Sequence, residues 1–487
     1  GGRLYKTGDL VKRRTDGSIV YLGRIDTQVK IRGLRVELGE IETALTTHPA
    51  VAQAVVTVVT GPTGDRELAG YLRARPGSRP DPADLRAHLA RTLPGYMIPA
   101  HLITVAEFPL NTSGKVNRAA LPAPDQSSGP VSGAHVAPAT RTESVVAGLY
   151  ATVLGRRQVS ATDSFFDLGG SSLQVMRLVD LIVGATGVDT GITAVFLHPT
   201  PRQLAASIDA TASGAPGSAG SGPLVELSKG AGELPLHLIH PVGGTVVAYT
   251  QLARELAETF KVYGLEAPGL SQDAASASSL AELADDYAAR ISAAQPGGPY
   301  RLAGWSMGGV LAFEVARRLE QAGGDVCLLT LLDAPFAMPG SAPPARAQLA
   351  ASFVADAMRS LGWDATAAPG PAAASADEQI SWLAERLASD GADARGVADR
   401  LRRRLDVFGA NVQVLAGYTP TGPAVQAPTL IVSASQSPNA PAREHWRGML
   451  TGPVTTLCVD SDHYEFLRPP QVAEVAMAIL KCHADSR

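Results

Sequence analysis

The chain has 487 residues with a formal net charge of −4, and 45% of the residues are hydrophobic and 18% charged. This length predicts about three domains, and the lack of a basic excess argues against nucleic acid or an anionic membrane as a partner. The three cysteines have neither disulfide-framework nor metal-site spacing, so we expect a cytoplasmic protein that holds no metal. No apolar run approaches the roughly 18 residues of a membrane helix.

Two segments rich in Pro, Gly, Ser and Ala, 122–139 and 209–223, divide the sequence into three blocks. Because neither segment can bury enough apolar surface to fold, both are predicted linkers. The chain opens with GGRLYKTGDL instead of an initiating methionine, inside a motif described below. We therefore expect the sequence to be part of a longer protein.

The first block mixes helices and strands. VELGEIETAL predicts a short helix, and VAQAVVTVVT and LAGYLRA predict strands. PADLRAHLARTL predicts a second helix with Pro82 at its first position. The block is thus a small α+β unit.

The second block is predicted to be helical throughout. Thr140 and Glu143 form a capping-box pattern ahead of SVVAGLYATVLG. Because Gly169 and Gly170 break any regular element that precedes them, the next helix is expected to begin at Ser172. HPTPRQLAASID supplies the last helix, and the block is predicted to be a small four-helix bundle.

The third block alternates strands with helices. LPLHLIHPV, KVYGLEAPG, YRLAGWS, VCLLTLLDAP, APTLIVSAS and VTTLCVDS are apolar runs of strand length, with helical patterns between most of them. This alternation predicts a mostly parallel sheet covered on both faces. Residues 340–425 carry Ala-rich helical patterns and no strand, which indicates an inserted helical lid.

The sequence GWSMG, Gly304 to Gly308, matches the G-x-S-x-G pattern of a nucleophile elbow. It follows a predicted strand and precedes a predicted helix, which is the context that such an elbow requires. The two outer glycines relieve crowding in the strained turn. Ser306 is therefore the predicted nucleophile.

A nucleophilic serine needs a base, and in this fold the base follows it in the chain. Three histidines follow Ser306. His483 lies in the terminal tail, and His445 lies in a helical pattern. His463 follows the strand VTTLCVDS in a loop, so it is the predicted base.

The acid that orients the base can follow either of two strands. APTLIVSAS is followed by QSPNAP, which contains no carboxylate, whereas VCLLTLL is followed directly by Asp333. Asp333 is therefore the predicted acid. Asp460 and Asp462 are too close to His463 in sequence to align its ring, and we interpret them as solvated loop acids.

An oxyanion that develops in acyl transfer needs preorganised donors. The first is expected to be the backbone N–H of Met307, directly after the nucleophile. The second is expected from the loop HPVGG, with Val242 or Gly243 as the donor. The third block is thus predicted to be an acyl-transfer enzyme.

Together the motifs resemble the C-terminal end of a nonribosomal peptide synthetase termination module. YKTGDL, GRIDTQVKIRGLRVELGEIE, LPGYMIP and SGKVNR are similar to four adenylation-domain motifs in order and spacing. The resemblance implies that residues 1–25 end the large adenylation subdomain and that residues 26–121 form the small C-terminal one.

The same resemblance implies roles for individual positions. Asp9 and Arg24 would contact the ribose or phosphate of ATP, and Asp26 would be the hinge of the small subdomain. Lys115 would reach the adenylate-forming centre, where a cation offsets phosphoryl charge. Gly33 would let the pantetheine arm approach. ATP and Mg are expected only with the missing large subdomain, so this chain alone is not expected to activate an amino acid.

DSFFDLGGSSL (163–173) resembles the carrier-domain signature D-x-F-F-x-L-G-G-x-S-L throughout. The resemblance implies that residues 140–208 are a peptidyl carrier domain. Ser172 would carry 4'-phosphopantetheine, attached by a separate phosphopantetheinyl transferase, while Ser171 fills a variable position.

Residues 224–487 resemble the type I thioesterase of such modules, an α/β-hydrolase. In many of these enzymes the acid follows the strand after the nucleophile's helix, in agreement with Asp333, and HPVGG is similar to the oxyanion loop, which favours Val242.

The expected fold is therefore multidomain, with a small α+β adenylation C-terminal subdomain, a four-helix carrier bundle and an α/β-hydrolase thioesterase with a helical lid. We expect the terminal fragment of a synthetase that works with upstream synthetase domains. It would release a peptidyl thioester by hydrolysis or macrocyclisation. The alternatives are an editing thioesterase, a carrier scaffold with a non-catalytic docking domain, or a polyketide or fatty-acid carrier.

Overall fold

The structure of the chain is a computed structural model. It describes residues 9–13, 19–24, 28–31, 34–60, 66–89, 93, 97–99, 101–111, 116–122, 136–168, 170, 172–213, 224–228, 234–270, 278–336, 344–360, 365, 368, 374–387, 394–420 and 422–485. The chain divides into two compact units, Gly1–Ala134 and His135–Arg487.

The first unit is an α+β structure, as predicted. Its elements are β1 (Asp9–Arg13), β2 (Ile19–Arg24), β3 (Gln28–Ile31), β4 (Leu34–Glu37), α1 (Leu38–Thr46), β5 (Val51–Thr60), β6 (Arg66–Ala74), α2 (Pro82–Leu89) and β7 (His101–Thr104). β5 and β6 pair antiparallel and β7 joins β6 in parallel, while β1–β2 and β3–β4 are separate antiparallel pairs. The core lies between this three-stranded sheet and the apolar faces of α1 and α2.

A helical bundle begins the second unit. Its helices are α3 (Arg141–Leu154), α4 (Ser172–Thr186), α5 (Gly191–Leu197) and α6 (Pro201–Ala212). Thr140 caps α3 by accepting a hydrogen bond from the Glu143 N–H, and the Glu143 carboxylate accepts one from the Ala139 N–H. α6 continues to Ala212, so the second predicted linker begins later than its composition indicated.

A large, mostly parallel sheet forms the centre of the second unit. Its strands are β8 (Leu224–Ser228), β9 (Pro235–Ile239), β10 (Lys261–Leu265), β11 (Tyr300–Trp305), β12 (Val326–Leu332), β13 (Thr429–Ala434) and β14 (Val454–Val459). They lie in the order β14-β13-β12-β11-β9-β10-β8. β8, which the apolar pattern did not predict, pairs antiparallel with β10 at the edge, and the other pairs are parallel.

Helices cover both faces of this sheet. They are α7 (Thr250–Leu256), α8 (Leu280–Ala294), α9 (Met307–Gln321), α13 (Ala442–Arg447) and α14 (Gln471–Asp485). α8, α9 and α13 share one apolar core with the sheet, and α7 and α14 share the other. The sheet is therefore buried between two layers, which explains why its central strands are apolar without alternation.

The predicted lid lies between β12 and β13 in the chain. It consists of α10 (Arg346–Ser360), α11 (Ala376–Leu387) and α12 (Ala394–Ala416), which pack around a core of their own. Among the described helices, none by itself is long and apolar enough to cross a membrane. One bent pair, Arg177–Thr186 with Gly191–Leu197, meets the criterion of length and composition.

Candidate active site and carrier attachment site

Ser306 stands at the sharp turn between β11 and α9. Its backbone has φ 57° and ψ −127°, a strained conformation for a residue with a side chain. A Cβ on Gly304 would lie 2.0 Å from the Gly308 carbonyl oxygen, and one on Gly308 would lie 2.2 Å from that of Ile239. Only glycine fits at either position, so the motif GWSMG is the sequence that this elbow demands.

Asp333 and His463 are in direct contact. The Asp333 Oδ2 and His463 Nδ1 atoms are 2.5 Å apart, and the Ala434 N–H donates to the other carboxylate oxygen over 3.1 Å. Asp333 is buried at the end of β12 with φ 45°, and the Asn439 side chain donates to its carbonyl. With Nδ1 donating to the carboxylate, the Nε2 of His463 remains free to accept a proton.

The indole of Trp305 brings the histidine next to the elbow. Its ring centroid is 4.9 Å from that of His463, and Trp305 directly precedes Ser306. The structure therefore gathers the predicted serine, acid and histidine at the same edge of the sheet.

The other two histidines after Ser306 lie in different surroundings. His445, on α13, stacks on Phe336 with ring centroids 5.2 Å apart, and His483 is buried on α14, where it accepts a hydrogen bond from Arg301.

The two acids beside His463 differ from each other. Asp460 is exposed and accepts a hydrogen bond from Ser435. Asp462 is half-buried and accepts hydrogen bonds from the N–H groups of Tyr464 and Glu465 at 2.7 and 2.8 Å. Asp462 is thus a cap for the turn that carries the histidine, whereas the sequence suggested a solvated acid.

The loop HPVGG leaves two backbone donors available. Among the described residues, no hydrogen bond uses the N–H of Val242 or Gly243, while the Gly244 N–H donates to the Pro241 carbonyl over 2.9 Å. The Met307 N–H opens α9 and has no partner within its own helix. Both predicted oxyanion donors are therefore unused by the surrounding backbone.

His240 fixes the start of this loop. Its ring is fully buried, with Nδ1 2.8 Å from the Pro241 carbonyl and Nε2 2.7 Å from the Tyr287 hydroxyl. Burial lowers the pKa of His240 to about 4, although the Pro241 carbonyl opposes the shift. The ring is neutral at pH 7, so Nδ1 donates to the carbonyl and Nε2 accepts from the tyrosine.

The glycine-rich segment before α4 is held by an aromatic ring. Phe165 is fully buried and meets Tyr150 edge to face, with centroids 4.9 Å apart. A Cβ on Gly170 would lie 2.4 Å from the Phe165 ring, so glycine is required there. The segment thereby fixes where α4 begins, at Ser172, while Ser171 lies outside the described residues.

Three protein-family models match the chain in order. The AMP-binding enzyme C-terminal domain matches residues 40–115, the phosphopantetheine attachment site matches 144–208, and the thioesterase domain matches 234–481. The last match covers just over half of the chain. The chain belongs to the thioesterase family.

The relatives of this thioesterase are peptide synthetases. The dimodular nonribosomal peptide synthase of Bacillus subtilis (strain 168) is 40% identical over 334 residues, 69% of this chain and 14% of that protein. Chondramide synthase of Chondromyces crocatus is 30% identical over 494 residues, 98% of this chain and 12% of that protein. The thioesterase chain thus spans a small part of the length of both relatives.

One solved structure aligns with almost the whole chain. A holo four-domain nonribosomal peptide synthetase bound to AMP and glycine matches 99% of this chain and 36% of its own, with 30% identity and a TM-score of 0.49. The predicted family, the three kinds of domain and the thioesterase activity are confirmed by the family models and the relatives. The phosphopantetheine attachment domain indicates a covalently bound 4'-phosphopantetheine.

The thioesterase lid touches both catalytic loops. On α10, Asp356 accepts a hydrogen bond from the Tyr464 hydroxyl over 3.0 Å, and Tyr464 directly follows His463. On α12, the Asn411 side chain donates to the Val242 carbonyl over 2.9 Å. Burial raises the pKa of Asp356, and the hydrogen bond from Tyr464 opposes this rise. Sequence patterns gave no signal for these lid residues.

The carrier domain contacts the thioesterase through α4 and α5. Arg400 on α12 pairs with Asp180, with its Nε 2.8 Å from the carboxylate, and lies 3.6 Å from Asp189. The Thr193 hydroxyl donates to Glu266 over 2.6 Å. The carrier helices are therefore docked on the lid and on the loop after β10.

The predicted adenylation residues are only partly described. Asp9 and Arg24 are paired directly across the β1–β2 hairpin, so both belong to its open end. Asp26, Gly33 and Lys115 lie outside the described residues. Their roles stay predictions.

Proposed function

We propose that this chain is the terminal part of a peptide synthetase in which Ser172 carries the finished acyl chain and Ser306 releases it. The contact between Asp333 and His463 beside the strained Ser306 turn carries the proposal. A histidine whose Nδ1 contacts a buried carboxylate is the arrangement that activates a serine hydroxyl.

The first step transfers the acyl group from the thioester to Ser306. The Ser306 oxygen attacks the thioester carbonyl while His463 Nε2 takes its proton, and Asp333 stabilises the resulting imidazolium. The N–H groups of Met307 and Val242 hold the oxyanion. When the C–S bond breaks, His463 returns the proton to the leaving thiolate, and the acyl group stays on Ser306 as an ester.

A second nucleophile then removes the acyl group. His463 takes a proton from water, or from an amine or hydroxyl of the acyl chain itself, as this group attacks the ester. The Ser306 oxygen leaves and takes the proton back from His463. Hydrolysis and macrocyclisation therefore use the same residues.

Attachment at Ser172 fits the start of α4. The N–H groups of the first turn of this 15-residue helix lack partners within the helix, and such groups favour a phosphodiester. Phosphopantetheine attached there supplies the thiol that holds the acyl chain. We infer that a separate phosphopantetheinyl transferase adds the group and that upstream synthetase domains deliver the peptide.

We propose that this chain holds part of an adenylation site, because the AMP-binding match, residues 40–115, is to the C-terminal domain of such enzymes. A cytoplasmic location is proposed as well. The free cysteines Cys327, Cys458 and Cys482 support it, since the cytosol keeps thiols reduced.

Loading and release can be followed on the intact chain by mass spectrometry. Incubation with octanoyl coenzyme A and a phosphopantetheinyl transferase should add the mass of octanoyl-phosphopantetheine, and the octanoyl part should then be lost with time. Ser306→Ala should load fully and keep its acyl group. Ser172→Ala should gain no mass, while Ser171→Ala should load like the unaltered chain.

Two outcomes would contradict this assignment. Undiminished acyl loss in Ser306→Ala would exclude Ser306 as the nucleophile, and a mass gain in Ser172→Ala would move the attachment point. A fluorophosphonate probe distinguishes the non-catalytic scaffold, in which Ser306 would remain unlabelled.

A further inference from the structure

One face of the lid helix α12 runs from the docked carrier to the oxyanion loop. Arg400, Arg404, Val407 and Asn411 follow the spacing i, i+4, i+7 and i+11, which places them on the same side of a helix. At 1.5 Å per residue this face is about 16 Å long. It is therefore long enough to join two separate sites.

Both ends of this face are in contact with functional parts of the chain. At one end, Arg400 pairs with Asp180 and Asp189 of the carrier domain. At the other end, Asn411 donates to the Val242 carbonyl. Val407 lies next to the same loop, because a Cβ on Gly244 would be only 3.0 Å from its Cγ1 atom.

Arg404 lies midway along the face and has no direct partner. Among the described residues it makes neither a hydrogen bond nor an ion pair, and its Nε atom is buried without an acceptor. A buried donor without an acceptor destabilises the state that contains it, and more so when the donor is charged. The side chain is therefore expected to have an acceptor in some state of the enzyme.

The two acids whose charges act on Arg404 are already hydrogen-bonded elsewhere. Glu266 accepts from the Thr193 hydroxyl and from the Val246 N–H, and Asp356 accepts from the Tyr464 hydroxyl. Both carboxylates attract Arg404 and so oppose the lowering of its pKa by burial. They favour the charged form of the guanidinium without occupying its donors.

We propose that Arg404 is a substrate-positioning residue whose guanidinium donates to an amide carbonyl of the thioester as this passes from the docked carrier to Ser306. An amide carbonyl is a neutral acceptor, which suits a cation whose charge is already offset by two carboxylates. Such carbonyls occur both in the pantetheine arm and in a peptidyl chain. The inference rests on the proposed function of Ser172 and Ser306.

Three thioester substrates distinguish whether Arg404 contacts an amide carbonyl of the pantetheine arm or one of the acyl chain. Octanoyl pantetheine thioester has amides only in the arm, an acetyl-tripeptide ethyl thioester has them only in the acyl chain, and octanoyl ethyl thioester has none. We expect Arg404→Met in the full chain to raise KM about ten- to hundredfold for the first substrate, the second, or both. The value of kcat/KM for octanoyl ethyl thioester should stay within about twofold.

The matched control is Arg403→Met, because Arg403 is the exposed neighbour on the same helix. Arg403→Met should leave the KM for all three substrates unchanged. Arg404→Lys should raise KM less than Arg404→Met does. The proposal would be overturned if Arg404→Met lowered kcat/KM equally for all three substrates, or for none of them. If the unaltered chain hydrolyses no thioester and Ser306 is not labelled by a fluorophosphonate, the proposed function fails instead.

Discussion

Asp333 is held by three neighbours that do not depend on the substrate. Its backbone N–H donates to Val432, its Oδ1 accepts from Ala434, and its carbonyl accepts from Asn439. A left-handed backbone at this position, with φ 45°, is strained and is maintained by these contacts. The carboxylate is thus preorganised to orient His463 before any acyl chain arrives.

We expect Asp333→Asn to lower kcat for octanoyl pantetheine thioester by about 10³–10⁴-fold, because an amide can stabilise the wrong histidine tautomer. Asp460→Asn is the control, since this exposed acid lies in the histidine loop but contacts Ser435. Steady-state hydrolysis measures both variants. A loss below tenfold in Asp333→Asn would argue against its role.

The assembly of Ser306, Asp333 and His463 at one edge of the sheet could be predicted, because a local motif and the chain order of one fold define their positions. Asp356, Asn411 and Arg404 could not be predicted. Each lies on a lid helix whose contacts are set by tertiary packing, and the sequence pattern of these helices is that of any amphipathic helix. Asp462 was misjudged for a related reason, since its two backbone donors are visible only in the folded turn.

At the scale of elements, hydrogen bonds join the lid helix α10 to the loop that carries His463. α10 reaches the histidine loop through Asp356 and Tyr464, and Arg468 donates to the carbonyl groups of Arg359 and Ser360 near the end of the same helix. Each contact is a hydrogen bond across a surface that must separate if the lid is to open. The lid is therefore expected to respond to small changes at these points.

Tyr464→Phe leaves the half-buried Asp356 carboxylate without its hydroxyl donor, at a cost of about 1–3 kcal/mol. We expect hydrogen exchange of the α10 amides to become about five- to a hundredfold faster, because opening of the lid becomes easier. Tyr71→Phe loses a comparable hydrogen bond, to the Pro122 carbonyl, in the other unit. Tyr71→Phe should leave the exchange rates of the α10 amides unchanged. If Tyr464→Phe also left these rates as they are in the unaltered chain, the coupling between Tyr464 and the lid would be contradicted.

The strands of the large sheet were predictable except for β8, at one of its two edges. β11, β12 and β13 are apolar runs that are buried along almost their whole length, whereas β8 is the five-residue LVELS beside a linker and pairs antiparallel. Likewise, α6 extends into the second predicted linker because DATA is compatible with a helix, and its composition alone did not reveal the helix end at Ala212.

At the scale of the whole molecule, the large unit contains buried histidines that lack charge at neutral pH. Burial lowers the pKa of both His237 and His240 to about 4, below the 6.5 expected in an unfolded chain. The unfolded state therefore binds more protons below pH 6.5. The stability that these neutral rings confer is fully present above pH 6.5 and is lost as the pH falls towards 4.

We expect the free energy of unfolding of the large unit to fall by up to about 2.7 kcal/mol per pH unit in this window, half from each histidine. His237→Phe should remove about half of this slope, and His445→Phe, at an exposed ring, should not change it. Tryptophan fluorescence in urea reports this unit, since all four tryptophans follow residue 300. An unchanged slope in His237→Phe would refute the assignment.

The antiparallel edge strand also determines where the carrier is tethered. Leu224, at the start of β8, is paired with Leu265, and Leu265 directly precedes Glu266, which accepts the hydrogen bond from Thr193. The anchored end of the tether therefore lies beside the place where the carrier docks. A carrier that leaves the lid to collect an acyl chain returns to a point close to its own anchor. Its own thioesterase consequently sees it at a far higher effective concentration than the thioesterase of a neighbouring chain does.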